Sequence, residues 1–195
     1  MIAIIDYGAG NVASVANAVT RLGSPFIITS NLTDLEKADK IIFPGVGEAS
    51  FAVNQLKSRN LFYYLQNIDK PLLGICLGMQ LLCSHSEEGD TTGLGIFPVP
   101  VLRFDNSKTK VPHIGWNTVN YNPGNKLFKG INQNEFFYFA NSYYAPAGGY
   151  TIATSENNIR FSSSLEKDNY YGVQFHPEKS SAPGLAVLNN FIEYC

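Results

Sequence analysis

The chain has 195 residues, 45% of them apolar and 15% charged, with a net charge of −2. That composition excludes a disordered chain, and the lack of any basic block argues against nucleic-acid binding, which needs clustered Lys and Arg to neutralise phosphates. A chain of this length buries about 70% of its unfolded surface, enough for a core without disulfides or metals. The three cysteines, Cys76, Cys83 and Cys195, are odd in number and form no C-x-x-C pair. A reduced, cytoplasmic setting fits better than a secreted disulfide framework or a zinc ribbon. The N-terminus has no basic segment, its apolar run is too short for a signal peptide, and no apolar window is long enough for a membrane span.

Ile2–Ile5 reads as a buried strand that runs into the glycine loop Asp6-Tyr7-Gly8-Ala9-Gly10. Asn11 can cap the next helix, whose Val12, Val15, Val19 and Leu22 recur at helical spacing, and Gly23 ends it. Phe26–Thr29 and Lys40–Phe43 are the second and third strands, the third stopped by Pro44-Gly45-Val46-Gly47. Helical pattern resumes at Phe51–Leu56 and Leu61–Leu65. Pro71–Ile75 is the fourth strand and Leu77–Cys83 a short apolar helix. This rhythm is that of a parallel sheet covered on both faces.

After Glu88 the pattern changes. Clusters of Gly, Pro, Asn and Ser separate β-rich runs at Val99–Phe104, Thr118–Tyr121, Phe136–Ala140, Tyr150–Ser155, Arg160–Leu165 and Tyr170–Phe175. Ala182–Tyr194 closes the chain as a helix, with Ser181 as its cap and Pro183 in its first turn. The expectation is one α/β domain over residues 1–195: a doubly wound mixed sheet with helices on both faces and a β-rich second half.

The sharpest chemical signal is Gly74-Ile75-Cys76-Leu77-Gly78, placed after a strand and before a helix. It is the G-x-S-x-G nucleophile-elbow pattern with sulfur in place of the hydroxyl. So tight a turn brings backbone segments together and leaves no room for side chains beside the nucleophile. The thiol would project from the C-terminal end of a parallel strand, at a helix N-terminus that favours thiolate. A buried structural cysteine is the alternative.

A nucleophilic cysteine needs a base, and the chain has three histidines. His176 lies in Val173-Gln174-Phe175-His176-Pro177-Glu178, where Glu178, two residues on, would point to the same side and could orient the imidazole. A surface His with a nearby carboxylate is the alternative. His113 and His85 have no comparable partner, and His85 sits in a polar stretch expected to face solvent. The Gly45-Val46-Gly47 loop and the N–H of Leu77 are candidate donors for an oxyanion, although a Pro-Gly turn is also common without function. In order and placement these segments together specify a Cys-His-Glu acyl-transfer site.

On these residues the chain resembles the class I (triad) glutamine amidotransferases over essentially its whole length. Within them it is similar to the glutaminase subunits of imidazole glycerol phosphate synthases of histidine biosynthesis. The segments that carry the likeness are Ile5-Asp6-Tyr7-Gly8-Ala9-Gly10-Asn11, Phe43-Pro44-Gly45-Val46-Gly47, Gly74-Ile75-Cys76-Leu77-Gly78-Met79-Gln80-Leu81-Leu82, His113-Ile114-Gly115-Trp116-Asn117 and Gln174-Phe175-His176-Pro177-Glu178-Lys179-Ser180. The resemblance implies that Cys76 attacks the glutamine side-chain amide, His176 shuttles the proton and Glu178 orients it. It implies that Gly47, Gln80, Glu88, Ser142 and Tyr143 hold glutamine, with Ser142 standing where the family has Thr. It implies no cofactor and no metal. It further implies a heterodimer with a (β/α)8-barrel cyclase that receives ammonia, with Asn11, Trp116, Tyr138 and Lys179 at the interface. A lone tryptophan is more commonly a core residue, which is the alternative for Trp116. Three other readings compete: a paralogue feeding a barrel enzyme of surface-sugar synthesis, a catalytically silent partner-binding module, and a cysteine peptidase.

Overall fold

A computed structural model describes residues 1–195. Its first half alternates strands β1 (Ile2–Ile5), β2 (Phe26–Thr29), β3 (Lys40–Gly45) and β4 (Leu72–Cys76) with helices α1 (Val12–Arg21), α2 (Leu32–Lys37), α3 (Ala49–Ser58), α4 (Leu61–Leu65) and α5 (Leu77–Leu82). The second half holds β5 (Cys83–Ser86), β6 (Thr91–Thr92), β7 (Phe97–Arg103), β8 (His113–Tyr121) and β9 (Glu135–Asn141). Then follow β10 (Tyr143–Pro146), β11 (Thr151–Asn157), β12 (Ile159–Lys167), β13 (Tyr170–Val173) and the closing helix α6 (Ser181–Tyr194).

The sheet runs β2-β1-β3-β4-β13-β12-β10-β7-β5-β6, parallel from β2 to β13 and antiparallel where β12 and β10 join. β11 leaves β12 to pair with β8, and β8 pairs with β9. The apolar runs that announce β1, β3 and β4 are buried on both faces, as strands between two helical layers must be. Successive residues of β1 serve opposite layers. Ala3 and Ile5 pack with α2–α5, whereas Ile2 and Ile4 pack with Val15 and Val19 of α1 and Val187, Leu188 and Phe191 of α6. The α/β, doubly wound reading with a β-rich second half therefore holds. No helix is long and apolar enough to cross a membrane.

Several local expectations change. The helix α2 and the strands β5 and β6 lie in stretches whose polar residues hide any apolar period, and β10 is only four residues long and ends at Pro146. β8 begins at His113 rather than Thr118, because Ile114 and Trp116 point outward and the polar-in, apolar-out alternation conceals the strand. The last parallel strand ends at Val173, and beyond it the His176 N–H crosses to the Tyr138 carbonyl at 2.8 Å. Asn11 occupies the cap position of α1 but its side chain makes no cap bond. Ser180, not Ser181, precedes α6, and its Oγ instead accepts from the Tyr138 N–H at 2.9 Å and donates to the His176 carbonyl at 2.6 Å.

β4 lies between β3 and β13 with Gly45 opposite Cys76 and Val173 opposite Ile75. The loop after β3, the turn after β4 and the segment after β13 thus emerge side by side at the C-terminal edge of the parallel strands. The turn after β4 is tight enough to require glycine. A Cβ on Gly78 would stand 2.0 Å from the Phe43 carbonyl oxygen. Gly78→Ala is expected to cost about 3 kcal/mol and lower the melting temperature by about 6–12 °C, as overpacking against backbone does in a chain of this size. A melt within two degrees or so of the unaltered protein would contradict that close approach.

Candidate active site

Cys76 ends β4 with φ 54° and ψ −111°, in the left-handed half of the map where a non-glycine residue is strained. The glycines around it make the turn possible. A Cβ on Gly74 would lie 2.8 Å from the Gly78 carbonyl carbon, and one on Gly45 2.6 Å from the Gly78 nitrogen. The Cys76 residue is 7% exposed and opens into a cavity of about 290 Å³. α5 begins at the next residue, so the Leu77 N–H is a first-turn amide with no intrahelical acceptor.

His176 lines the same cavity. Its Nδ1 is 2.9 Å from Glu178 Oε1, and the two side chains are 3% and 1% exposed. Burial disfavours the imidazolium, but hydrogen bonding and charge attraction from Cys76 and Glu178 outweigh it and push His176 up to about 10. Glu178 Oε2 is buried without a partner, so the cation on His176 is what balances this carboxylate. The other cysteines differ. Burial alone pushes Cys83 up to about 12, which leaves it an inert thiol.

The expected ligand-holding residues gather here. Gly47, Gln80, Glu88, Ser142 and Tyr143 all line the cavity, with Val46, Leu77, Pro112, Ala140, Asn141 and Lys179. Glu88 accepts the Ala49 N–H at 2.9 Å; its burial raises its carboxyl above the usual range, that bond lowers it, and nearby Glu48 raises it. The two N–H groups of Gln80 are committed to the Tyr143 carbonyl and to Gln174 Oε1, so only its carbonyl oxygen is free for a ligand. Of the loop expected to supply oxyanion donors, Val46 and Gly47 reach the cavity, and Gly47 has a φ of +99°. Gly45 does not: it is the buried last residue of β3, packed against Leu77 and Gly78.

A model of class-I glutamine amidotransferases matches residues 3–194. The chain is 48% identical to the imidazole glycerol phosphate synthase subunit HisH of Bacteroides thetaiotaomicron, over 98% of each chain. It is 47% identical to that of Bacteroides fragilis strain ATCC 25285, again over 98% of each. The chain belongs to the class-I glutamine amidotransferase family, among its HisH subunits. A solved glutamine amidotransferase, 16% identical, shares the fold with a TM-score of 0.75 over 98% of this chain and 99% of its own.

Of the residues expected at a partner interface, Lys179 lines the amidotransferase cavity, and Asn11, Trp116 and Tyr138 lie outside its lining. Trp116 is 51% exposed, not a core residue, and its ring meets Tyr138 edge-on at 6.0 Å. Lys179 Nζ stands 5.9 Å over the Tyr138 ring and lines the cavity. Asn11 is half-buried beside Gly10, whose Cβ would lie 3.3 Å from the Pro44 carbonyl. Ile114 and Phe136, which motif reasoning passed over, share the outward face of β8 and β9 with Trp116 and Tyr138. Their alternation with inward Phe137 and Phe139 was the available signal. His85 faces solvent near Asp90, and His113 packs among Phe104, Phe139 and Phe161 away from Glu178.

The raised His176 has a consequence for stability. A histidine whose pKa rises on folding from 6.5 to about 10 adds stability that is complete below about 6.5 and is lost as pH climbs through about 10. The urea midpoint is expected to fall between pH 7 and pH 10.5, and to fall less in Glu178→Gln, where one source of the shift is gone. Equal slopes in the two proteins would contradict the coupling.

Proposed function

We propose that this cavity hydrolyses the side-chain amide of glutamine, with Cys76 as nucleophile, His176 as proton carrier and Glu178 as the carboxylate that orients it. The carrying observation is the meeting of a strained cysteine and a buried His–Glu pair at one small cavity. At about 290 Å³ it suits a free amino acid better than a peptide.

The Cys76 thiolate attacks the amide carbon, and the oxygen gains negative charge against the Leu77 N–H and the Val46–Gly47 loop. His176, as imidazolium, gives its proton to the amide nitrogen. The C–N bond breaks and ammonia leaves a glutamyl thioester. Neutral His176 then takes a proton from water, the hydroxide adds to the thioester, and the C–S bond breaks to restore thiolate and imidazolium. The released carboxylic acid loses its proton to solvent as glutamate. Gly47, Gln80, Glu88, Ser142 and Tyr143 hold the substrate, and the Glu88 carboxylate suits its ammonium group.

The chain, one amidotransferase domain over residues 1–195, is the glutaminase subunit of imidazole glycerol phosphate synthase in histidine biosynthesis. Its partner is a (β/α)8-barrel cyclase that takes the ammonia and makes imidazole glycerol phosphate and aminoimidazole carboxamide ribotide, in the cytoplasm. Two things support that partner: the relatives are named as subunits, and an apolar strip of Ile114, Trp116 and Phe136 stands exposed on β8 and β9, the latter also carrying the cavity-lining Ala140. A closed contact there would keep ammonia from protonation and loss in water. No observation favours a surface-sugar paralogue or a silent module.

Cys76→Ala is expected to abolish glutamine-dependent synthesis by the complex while ammonia-dependent synthesis continues. Loss of both activities, or of neither, would overturn the assignment. Trp116→Ala is expected to weaken binding of the barrel by about ten-fold or more, as truncation of an interface aromatic does, while Cys76 in the isolated chain still reacts with a glutamine-analogue electrophile. Unchanged affinity in a titration of the two subunits would remove Trp116 from the interface.

A further inference from the structure

Gln174 is fully buried, and the reaction as described gives it no task. Its Nε2 lies 3.8 Å from Cys76 Sγ, and its Oε1 lies 2.9 Å from Gln80 Nε2. The two ends of a side-chain amide are alike in shape, so its partners decide which end faces the sulfur. The decision starts at the Tyr143 carbonyl, which can only accept. Gln80 turns its Nε2 to that oxygen at 3.0 Å, and Asn141 Nδ2 donates to the same oxygen at 2.8 Å. The second N–H of Gln80 then faces Gln174, which must answer with its oxygen. The Gln174 N–H groups are left for the sulfur.

We propose that Gln174 is a thiolate-stabilising donor, held in one orientation by Gln80 and the Tyr143 carbonyl so that an N–H always meets Cys76 Sγ. A donor favours the anion, because hydrogen bonding to the charged form stabilises it. The Ala140 carbonyl, 4.0 Å from the same sulfur, is an acceptor and suits the neutral thiol. Gln174 therefore offsets a neighbour that would keep the proton in place. The titratable groups that face the sulfur are His176, with Glu178 behind it, and Tyr7, whose buried hydroxyl stays protonated. Glu88 and Lys179 also line the cavity. His176 surrenders its proton during turnover, whereas the Gln174 donor is present throughout. The inference rests on the glutaminase reading for the use made of the thiolate, not for the thiolate itself.

The test is alkylation of the full chain by iodoacetamide across pH, with modification of Cys76 followed by peptide mass. Cys83 and Cys195 are both raised by burial, which keeps them slow. Gln174→Met conserves volume and removes the donor. It is expected to move the pH midpoint of alkylation up by about one unit, leaving roughly ten-fold less thiolate at pH 7. With the barrel partner present, kcat for glutamine should fall about ten-fold with KM within about two-fold. An unchanged midpoint in the folded variant overturns the proposal. If this variant does not melt cooperatively, the unaltered chain labelled with ¹⁵N-glutamine decides. A side-chain amide signal that titrates with the alkylation midpoint supports donation to sulfur, and the absence of one overturns it. Alkylation needs no glutamine, so turnover that survived Cys76→Ala would sink the glutaminase reading without touching this result.

Discussion

α5 approaches β3 so closely that no side chain fits at Gly78, and the geometry of the site follows from that contact. A residue with a Cβ at Gly78, Gly74 or Gly45 would push helix and sheet apart. With glycine there, the chain turns from strand to helix at a single residue, and Cys76 must take a positive φ to make the turn. The strain is held by the packing of α5 between the two neighbouring strands, not by the turn itself. One result is a sulfur lifted clear of the sheet. Another is its position at a helix N-terminus, beside amides that have no partner within the helix.

Burial then separates thiols of the same chain. Cys76 and Cys83 flank α5 at its two ends and both are buried. Around Cys83 there is no cation and no donor, and desolvation keeps its proton on. Around Cys76 stand an imidazole, with its carboxylate, and an amide N–H. In a low-dielectric pocket each of these is worth more than in water, and an unpaired Glu178 would be correspondingly costly. The pair is stable only as a set: the carboxylate needs the imidazolium, and hydrogen bonds to Glu178 and Cys76 hold the imidazole up against its burial.

One strand ties this chemistry to the surface. β9 turns Phe137 and Phe139 inward, where they pack on Phe175 of the segment that carries His176. The same strand turns Phe136 and Tyr138 outward beside Trp116. Its backbone accepts the His176 N–H at Tyr138 and approaches Cys76 Sγ at Ala140. An exposed apolar strip, a core face packed on Phe175 and contacts to both catalytic segments are therefore carried by a single β-strand.

The sequence alone determined what depends on local pattern. Continuous apolar runs specified β1 to β4, because parallel strands between helical layers must be apolar on both sides. Glycines flanking Cys76 specified the elbow, and His-Pro-Glu pointed to a base with its carboxylate, although Pro177–Lys179 form a 3-10 turn that brings Glu178 back to His176 rather than the extended chain that reading assumed. Tertiary structure decided the rest. β5, β6 and β10 are short, β5 and β6 polar as well, and they exist because distant partners satisfy their backbones. Trp116 is exposed because its strand faces outward, which composition does not encode. Gln174 looked like any residue before the His-Pro-Glu segment; only the Tyr143 carbonyl, reached through Gln80, decides which end of its amide meets the sulfur.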